Sequence, residues 1–232
     1  DVPVVRSIQT GSPFGLTTAG GEEVRLLGDF FGHSQRLVKE VPDALFWPAA
    51  EYKSFESNVT FQAASCVVVQ DYHEISCKSV PGFGKDYHWR VRVGGQWSEW
   101  SIPTTTYAAP TISSFENEED GLAATAASTS GNEVITIRYV LSSQAVICAQ
   151  FGPVGDEFLE VTYGATGREY VAKDCRVVES HTTIRCTTAV GVGYNLQWVV
   201  NVGNLTSETP TTTYASPSIF EAHVVSSEEA AE

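Results

Sequence analysis

The chain has 232 residues, with 28 acidic against 14 basic side chains and a net charge of −14. Such a surface repels phosphate backbones and anionic lipid, which argues against nucleic acid as a partner; its plain use is solubility. No run approaches the roughly eighteen apolar residues needed to span a bilayer, so no membrane insertion is expected. The length fits two domains of about a hundred residues, each large enough for its own core. Val, Thr and Tyr dominate the patterned stretches, a mix that favours strands. With no Met and no signal peptide, Asp1 reads as a processed end or a fragment boundary.

Residues 3–8 (PVVRSI) read as a short strand opened by proline, followed by the turn-rich TGSPFGLTTAGG and the alternating EEVRLLGDFFG. Pro3, Ile8, Gly11, Pro13, the pair Gly20-Gly21, Val24, Leu26, Gly28, Phe30 and Gly32 together resemble the opening signature of IPT/TIG domains. That resemblance implies an immunoglobulin-like β-sandwich of the kind found in plexin-type receptors, other cell-surface proteins and some transcription factors. Residues 31–65 are less patterned. Cys66 and Cys77 then bracket a hairpin whose strands, CVVVQ and EISC, are β-branched. After the turn GFG, the stretch YHWRVRV alternates Tyr87, Trp89, Val91 and Val93 on one face with His88, Arg90 and Arg92 on the other. Pro103 begins a closing strand in PTTTYA, and Pro110 opens the next unit.

From there the chain repeats itself. Cys175 and Cys186 have the same separation as Cys66 and Cys77, and counting onward matches Gly82 to Gly191, Gly84 to Gly193, Trp89 to Trp198 and Gly94 to Gly203. The shared string PTTTYA recurs from Pro210. The second repeat keeps a strand in SGNEVITIRYVLSSQAV but lacks the double glycine and the glycine after it. Trp47-Pro48 is aligned with Tyr163-Gly164. The fold expected is all-β: two tandem immunoglobulin-like (IPT/TIG) sandwiches at residues 1–109 and 110–216, each pinned by a disulfide hairpin. Residues 217–232 form a strand-like tail, the start of a third repeat or a connector between subunits.

Equal spacing in equivalent places predicts the bridges Cys66–Cys77 and Cys175–Cys186, each worth roughly 2–3 kcal/mol for so short a loop. Disulfides imply secretion or a cell surface, and the sequons at Asn58 and Asn204 fit that compartment. Cys148, among apolar neighbours in AVICAQF, reads as a buried free thiol in preference to an intermolecular bridge. Thr104, Thr105 and Thr106, with Thr211, Thr212 and Thr213, read equally as strand residues or O-glycan acceptors.

WSEWS at residues 97–101, after WRVRV, resembles the tryptophan–arginine ladder of class I cytokine receptors, and Arg90 and Arg92 are expected to stack on Trp97 and Trp100. The second repeat has NLTSE and QWVVNV there, so the ladder reads as local convergence on a stabilising device. Trp97, in W-x-x-W, also resembles a C-mannosylation acceptor. GFG and GVG lack the third glycine and following helix of a phosphate loop and read as tight turns. His33, His73, His88, His181 and His223 fall in no ligand spacing. The run Glu116, Glu118, Glu119 and Asp120 reads as a solvated loop in preference to a calcium site.

No nucleophile with a base, paired catalytic acids, metal set or cofactor motif is legible, so a non-enzyme is expected. The leading expectation is a structural subunit of an extracellular, glycosylated fibre or surface array, assembling with itself head-to-tail. The alternative is a receptor or adhesin ectodomain that recognises a protein or glycan. For the tail, PSIFEAHVV matches PVVRSIQTG and PTISSFENE, which makes Pro217, Ile219, Phe220, Val224 and Val225 candidates for contact with a neighbouring subunit.

Overall fold

The computed structural model describes residues 1–34, 47–118, 126–139 and 150–221. Among these, every regular element is a strand. The first half contributes β1 (Val4–Thr10), β2 (Glu23–Asp29), β3 (Ala49–Ser54), β4 (Thr60–Gln62), β5 (Ala64–Gln70), β6 (Glu74–Lys78), β7 (Tyr87–Val93), β8 (Gln96–Trp97) and β9 (Thr104–Thr105). The second half contributes β10 (Ser114–Asn117), β11 (Val134–Arg138), β12 (Leu159–Gly164), β13 (Tyr170–Val171), β14 (Lys173–Glu179), β15 (Thr183–Thr187), β16 (Leu196–Val202), β17 (Leu205–Thr206) and β18 (Thr211–Thr212).

Each half is a two-sheet antiparallel sandwich. In the first, the sheet β1-β2-β6-β5 faces β4-β3-β7-β8, with β9 also on β7. In the second, β10-β11-β15-β14 faces β13-β12-β16-β17, with β18 on β16. The two orders correspond strand for strand, and both follow the immunoglobulin pattern in which the first, second and two hairpin strands form one layer.

Period-2 alternation builds the cores. Tyr87, Trp89 and Val91 on β7 are fully buried, while the intervening His88 and Arg90 reach the outer face. Trp89 stacks on Tyr52 at 4.3 Å between ring centroids, and Trp198 on Tyr163 at 4.2 Å. These pairs lie across β3–β7 and β12–β16 respectively. The expected match of Trp47-Pro48 with Tyr163-Gly164 is therefore corrected: Tyr52 is the counterpart of Tyr163. The aromatic stack sets the register.

A second tyrosine completes each core. The Tyr52 and Tyr107 hydroxyls lie 2.7 Å apart, Val80 N–H donates to Tyr52 at 3.1 Å, and Tyr107 donates to the Val80 carbonyl at 2.7 Å. Tyr163, Tyr214 and Ala189 repeat the arrangement, with a 2.7 Å hydroxyl contact and 2.8 Å bonds to the Ala189 N–H and carbonyl. The clasp ties the closing strand to the turn before β7. It also satisfies hydroxyls whose burial pushes the ionisation of Tyr107 and Tyr214 far above that of free tyrosine.

The disulfides join β5 to β6 and β14 to β15, at Cα separations of 4.0 and 4.1 Å. The missing double glycine of the second repeat also has an explanation. Gly20 and Gly21 adopt φ of 72° and 86°, and Gly131 and Asn132 adopt 69° and 63°. Asparagine tolerates the left-handed region that this turn requires, so the turn survives the substitution. Cys148 lies outside the described residues.

Candidate functional site

The outer face of β7 carries an aromatic–cationic strip. The Arg90 guanidinium carbon lies 4.6 Å from the Trp97 ring centroid and 4.5 Å from that of Trp100, and Arg92 lies 5.5 Å from Trp97. Phe55 meets Trp100 edge-on at 5.7 Å, and Lys53 Nζ stands 5.7 Å from the Phe55 ring. Beneath the strip, Arg90 Nε donates to Glu51 Oε1 at 2.5 Å and Gln62 Nε2 donates to Oε2 at 2.5 Å. The Glu51 side chain is only 10% exposed, and Arg90 is the cation paired with it.

The serines of WSEWS act on the backbone. Ser98 Oγ accepts from Val91 N–H at 3.0 Å, and Ser101 Oγ accepts from Trp89 N–H at 2.8 Å. Ser207 accepts from Val200 N–H at 3.0 Å in the same way as Ser98. The serine–strand bond thus belongs to the repeat, whereas the tryptophans and arginines belong to the first sandwich. Their contacts stabilise a strand edge, at about 0.5–2 kcal/mol for each cation–π pair.

The candidate modification sites divide. Asn58 and Asn204 are exposed, both with left-handed backbone, and Asn204 occupies the tight β16–β17 turn. Thr104 and Thr211 face solvent. Thr105 and Thr212 accept the indole N–H of Trp89 and Trp198, at 2.8 and 2.6 Å. Those two hydroxyls serve the core. Thr106 and Thr213 accept backbone N–H groups at 3.3 and 3.4 Å. The shared PTTTYA string carries no local sign that its middle threonine partners the tryptophan and its tyrosine the clasp.

The histidines have local partners. His33 pairs with Asp71 and Tyr72, His73 Nδ1 lies 3.2 Å from the Gly28 carbonyl, and His88 Nδ1 lies 2.6 Å from that of Ser101. Among the described residues, no group of three or more His, Cys, Asp or Glu side chains could hold a metal ion. Glu116 and Glu118 bond Arg138 and Arg185 across the sheet. Glu119, Asp120 and His223 lie outside the described residues.

The two sandwiches meet end to end. Phe83, at the centre of the GFG turn, reaches out of the first sandwich and lies 5.2 Å from Phe158 of the second. Gly84 and Gly203 approach so closely that a Cβ on Gly203 would stand 2.8 Å from Gly84 Cα. Thr18 Oγ1 lies 3.0 Å from His181 Nδ1, and burial there holds the imidazole below its ordinary pKa. Asn204 Nδ2 donates to Glu56 Oε1 at 3.0 Å. None of these junction residues was singled out for this role from the sequence. The signal available was the pair of matched glycine turns, read there as turns alone.

The tail shows the reverse situation. In the repeat register that aligns Pro3, Pro110 and Pro217, Ile219 corresponds to Val5 and Ile112. Val5 is buried and Ile112 packs on the second core. Ile219 is 87% exposed and Phe220 97%, and residues 217–220 belong to no strand among the described residues. Val224 and Val225 lie outside the described residues.

No family model matches the chain, and no curated protein matches it. Solved structures with which it shares a β-sandwich likeness include SGBP-B from a xyloglucan utilization locus of Bacteroides uniformis, at 13% identity and TM-score 0.33. That match covers 92% of this chain and 50% of the other. The full extracellular region of plexin A4 gives 14% identity and TM-score 0.32, covering 92% and 18%. The Escherichia coli adhesin FdeC gives 12% and 0.32, covering 93% and 66%. The chain thus spans half the length of the first of these and less than a fifth of the second. At so low an overlap none of them bears on function.

Proposed function

We propose that the chain is a length of an extracellular, non-enzymatic rod of IPT/TIG-like sandwiches, with units at residues 1–109 and 110–216. Its tail joins the next sandwich in the series. The observation that carries this is Ile219, a core position of the repeat that stands in water. An apolar position that the repeat packs on its core twice, at Val5 and Ile112, calls for a third sandwich to cover it. Two disulfide hairpins suit an oxidising compartment. Exposed sequons at Asn58 and Asn204 and exposed threonines at 104 and 211 offer places for covalent glycans, and Trp97 for C-mannose.

Two forms of the rod differ in where the third sandwich comes from. In a receptor or adhesin ectodomain it is covalently continuous. In a fibre it belongs to another copy, so that self-association is head-to-tail and open-ended. The end-to-end junction inside the chain favours the fibre, because it is a contact that a second copy can repeat. The aromatic–cationic strip favours recognition, since a ring-rich face suits a protein or glycan partner. Deleting residues 217–232 tests the role of the tail. The shortened protein is expected to keep both disulfides and both melting transitions while losing long assemblies under the electron microscope. Fibres of normal length from the shortened protein would refute the tail as connector.

A further inference from the structure

The contact between the two sandwiches has a second, unfilled copy at the two ends of the chain. On the side that the first sandwich presents, Phe83 is half-buried, Gly84 is buried and Thr18 is 1% exposed. Their counterparts one repeat later are Val192, Gly193 and Thr129, and all three are exposed, Val192 at 68%. The neighbouring Val190 and Tyr194 are also exposed, at 68% and 73%. On the receiving side, Gly203 is buried and His181 partly so. Their counterparts in the first sandwich, Gly94 and Tyr72, are exposed, and Trp47, the counterpart of Phe158, is 52% exposed.

The correspondence is set by hydrogen bonds as well as by counting. His181 N–H donates to the Gly152 carbonyl at 2.7 Å and Tyr72 N–H to the Gly32 carbonyl at 2.7 Å, which fixes the same hairpin tip against the same loop in both sandwiches. Gly203 N–H donates to the Phe158 carbonyl at 2.9 Å, which places Phe158 beside Gly203 at the receiving end. The hairpin tips at Tyr72 and His181, with φ of 66° and 70°, and the turns at Gly94 and Gly203, both with φ of 56°, therefore match at the receiving end, and Trp47 takes the sequence position of Phe158.

We propose that the Val190–Val192–Tyr194 end of the second sandwich docks on the Trp47–Tyr72–Gly94 end of the first sandwich of a second copy, in the geometry of the internal junction. Val192 takes the place of Phe83 and meets Trp47 where Phe83 meets Phe158. Thr129 faces Tyr72 where Thr18 faces His181. Gly193 and Gly94 carry no side chain to obstruct the approach that Gly84 and Gly203 make. Buried apolar and aromatic surface supplies the attraction. The contact is heterologous, since the two patches differ, so copies add in one direction without closing into a pair. This rests on the rod reading above in its fibre form and adds the surfaces that join.

Complementary blocked ends test it. Val192→Asp leaves the receiving end intact, and Trp47→Asp leaves the presenting end intact; both positions are exposed, so folding is preserved and is checked by melting and by disulfide mapping. Placing an unpaired carboxylate in a buried contact is expected to raise the concentration needed for assembly by on the order of a hundredfold. By sedimentation, each variant alone stays monomeric and an equimolar mixture gives dimers that grow no further, because one sound junction remains. Normal assembly by either variant, a mixture that stays monomeric, or a native chain monomeric at millimolar concentration overturns the proposal. If Val192→Asp assembles normally while deletion of residues 217–232 prevents assembly, the rod reading stands and these ends are not its joints.

Discussion

The two sandwiches are alike inside and unlike outside, and the contrast is sharpest on a single strand. On their inner faces β7 and β16 present Trp89 and Trp198, each stacked on a tyrosine and each donating its indole N–H to a threonine of the closing strand. On the outer faces the same strands diverge. Arg90 and Arg92 stand where β16 has Val199 and Asn201, and Trp97 stands where β17 has Thr206. The first sandwich fills that face with stacked rings and guanidinium groups; the second leaves it to short side chains. The inner pattern specifies the fold, so duplication preserves it. The outer pattern is free of that constraint, and that is where the two units have acquired separate characters.

The largest expected effect checks the shared half of this contrast. Trp89→Ala and Trp198→Ala each remove a ring buried to 2% exposure or less, together with its stack and its indole bond. Each is expected to destabilise its own sandwich by about 3–5 kcal/mol. Two-transition melting of the double-sandwich chain reads the effects separately. A loss in one unit less than half that in the other would show that the cores are alike in shape and unlike in energy.

Much of the inner half was legible in the residues. Alternation over YHWRVRV placed Trp89 inside and Arg90 outside, and equal cysteine spacing placed both bridges. The register of the preceding strand was not legible. The chain before Tyr52 differs in length from that before Tyr163, and a Pro-containing pair at 47–48 is a more conspicuous landmark than a lone tyrosine. Only the stack on tryptophan identifies the true counterpart. The turn at Gly131-Asn132 was hidden for another reason: what recurs there is a positive φ, which two different residues can supply. The junction was hidden because burial of Phe83 depends on the neighbouring sandwich, which no local pattern encodes.

A smaller effect tests the divergent half. Arg90→Ala removes two ring contacts and leaves the largely buried Glu51 carboxylate without its guanidinium. A cost of roughly 2–3 kcal/mol to the first sandwich follows. Val199→Ala, at the equivalent place, is expected to cost under about 1.5 kcal/mol, since it only trims an aliphatic side chain. Combining Arg90→Ala with Glu51→Gln should recover part of the loss by removing the orphaned charge. Equal losses at Arg90 and Val199 in urea unfolding would erase the distinction between the faces.

The smallest effect concerns pH and belongs to the second sandwich alone. Its turn between β12 and β13 is held by Glu169, whose carboxylate accepts from Thr166 N–H at 3.0 Å, Thr166 Oγ1 at 2.7 Å and Arg168 N–H at 3.2 Å. Bonds to the charged form lower its pKa to about 2 from the usual 4.5, with the Thr166 hydroxyl the largest contributor. A carboxyl whose folded-state pKa lies below its unfolded value adds stability that is complete above about 4.5 and is lost as pH falls through about 2. The corresponding turn of the first sandwich, residues 55–59, contains Glu56, which is engaged instead with Asn204 across the junction. Acidification between these limits should therefore loosen the β12–β13 turn first. An NMR titration of the Glu169 side chain between pH 1.5 and 6 checks this, with Glu169→Gln as the control that removes the inflection. Because the group lies at the surface, the effect is expected as a local shift of midpoint and of amide exchange in residues 165–169, with little change in the melting of either core. A midpoint near 4.5 would mean that the turn does not hold its carboxylate, and that the second sandwich has no acid-sensitive feature of its own at this position.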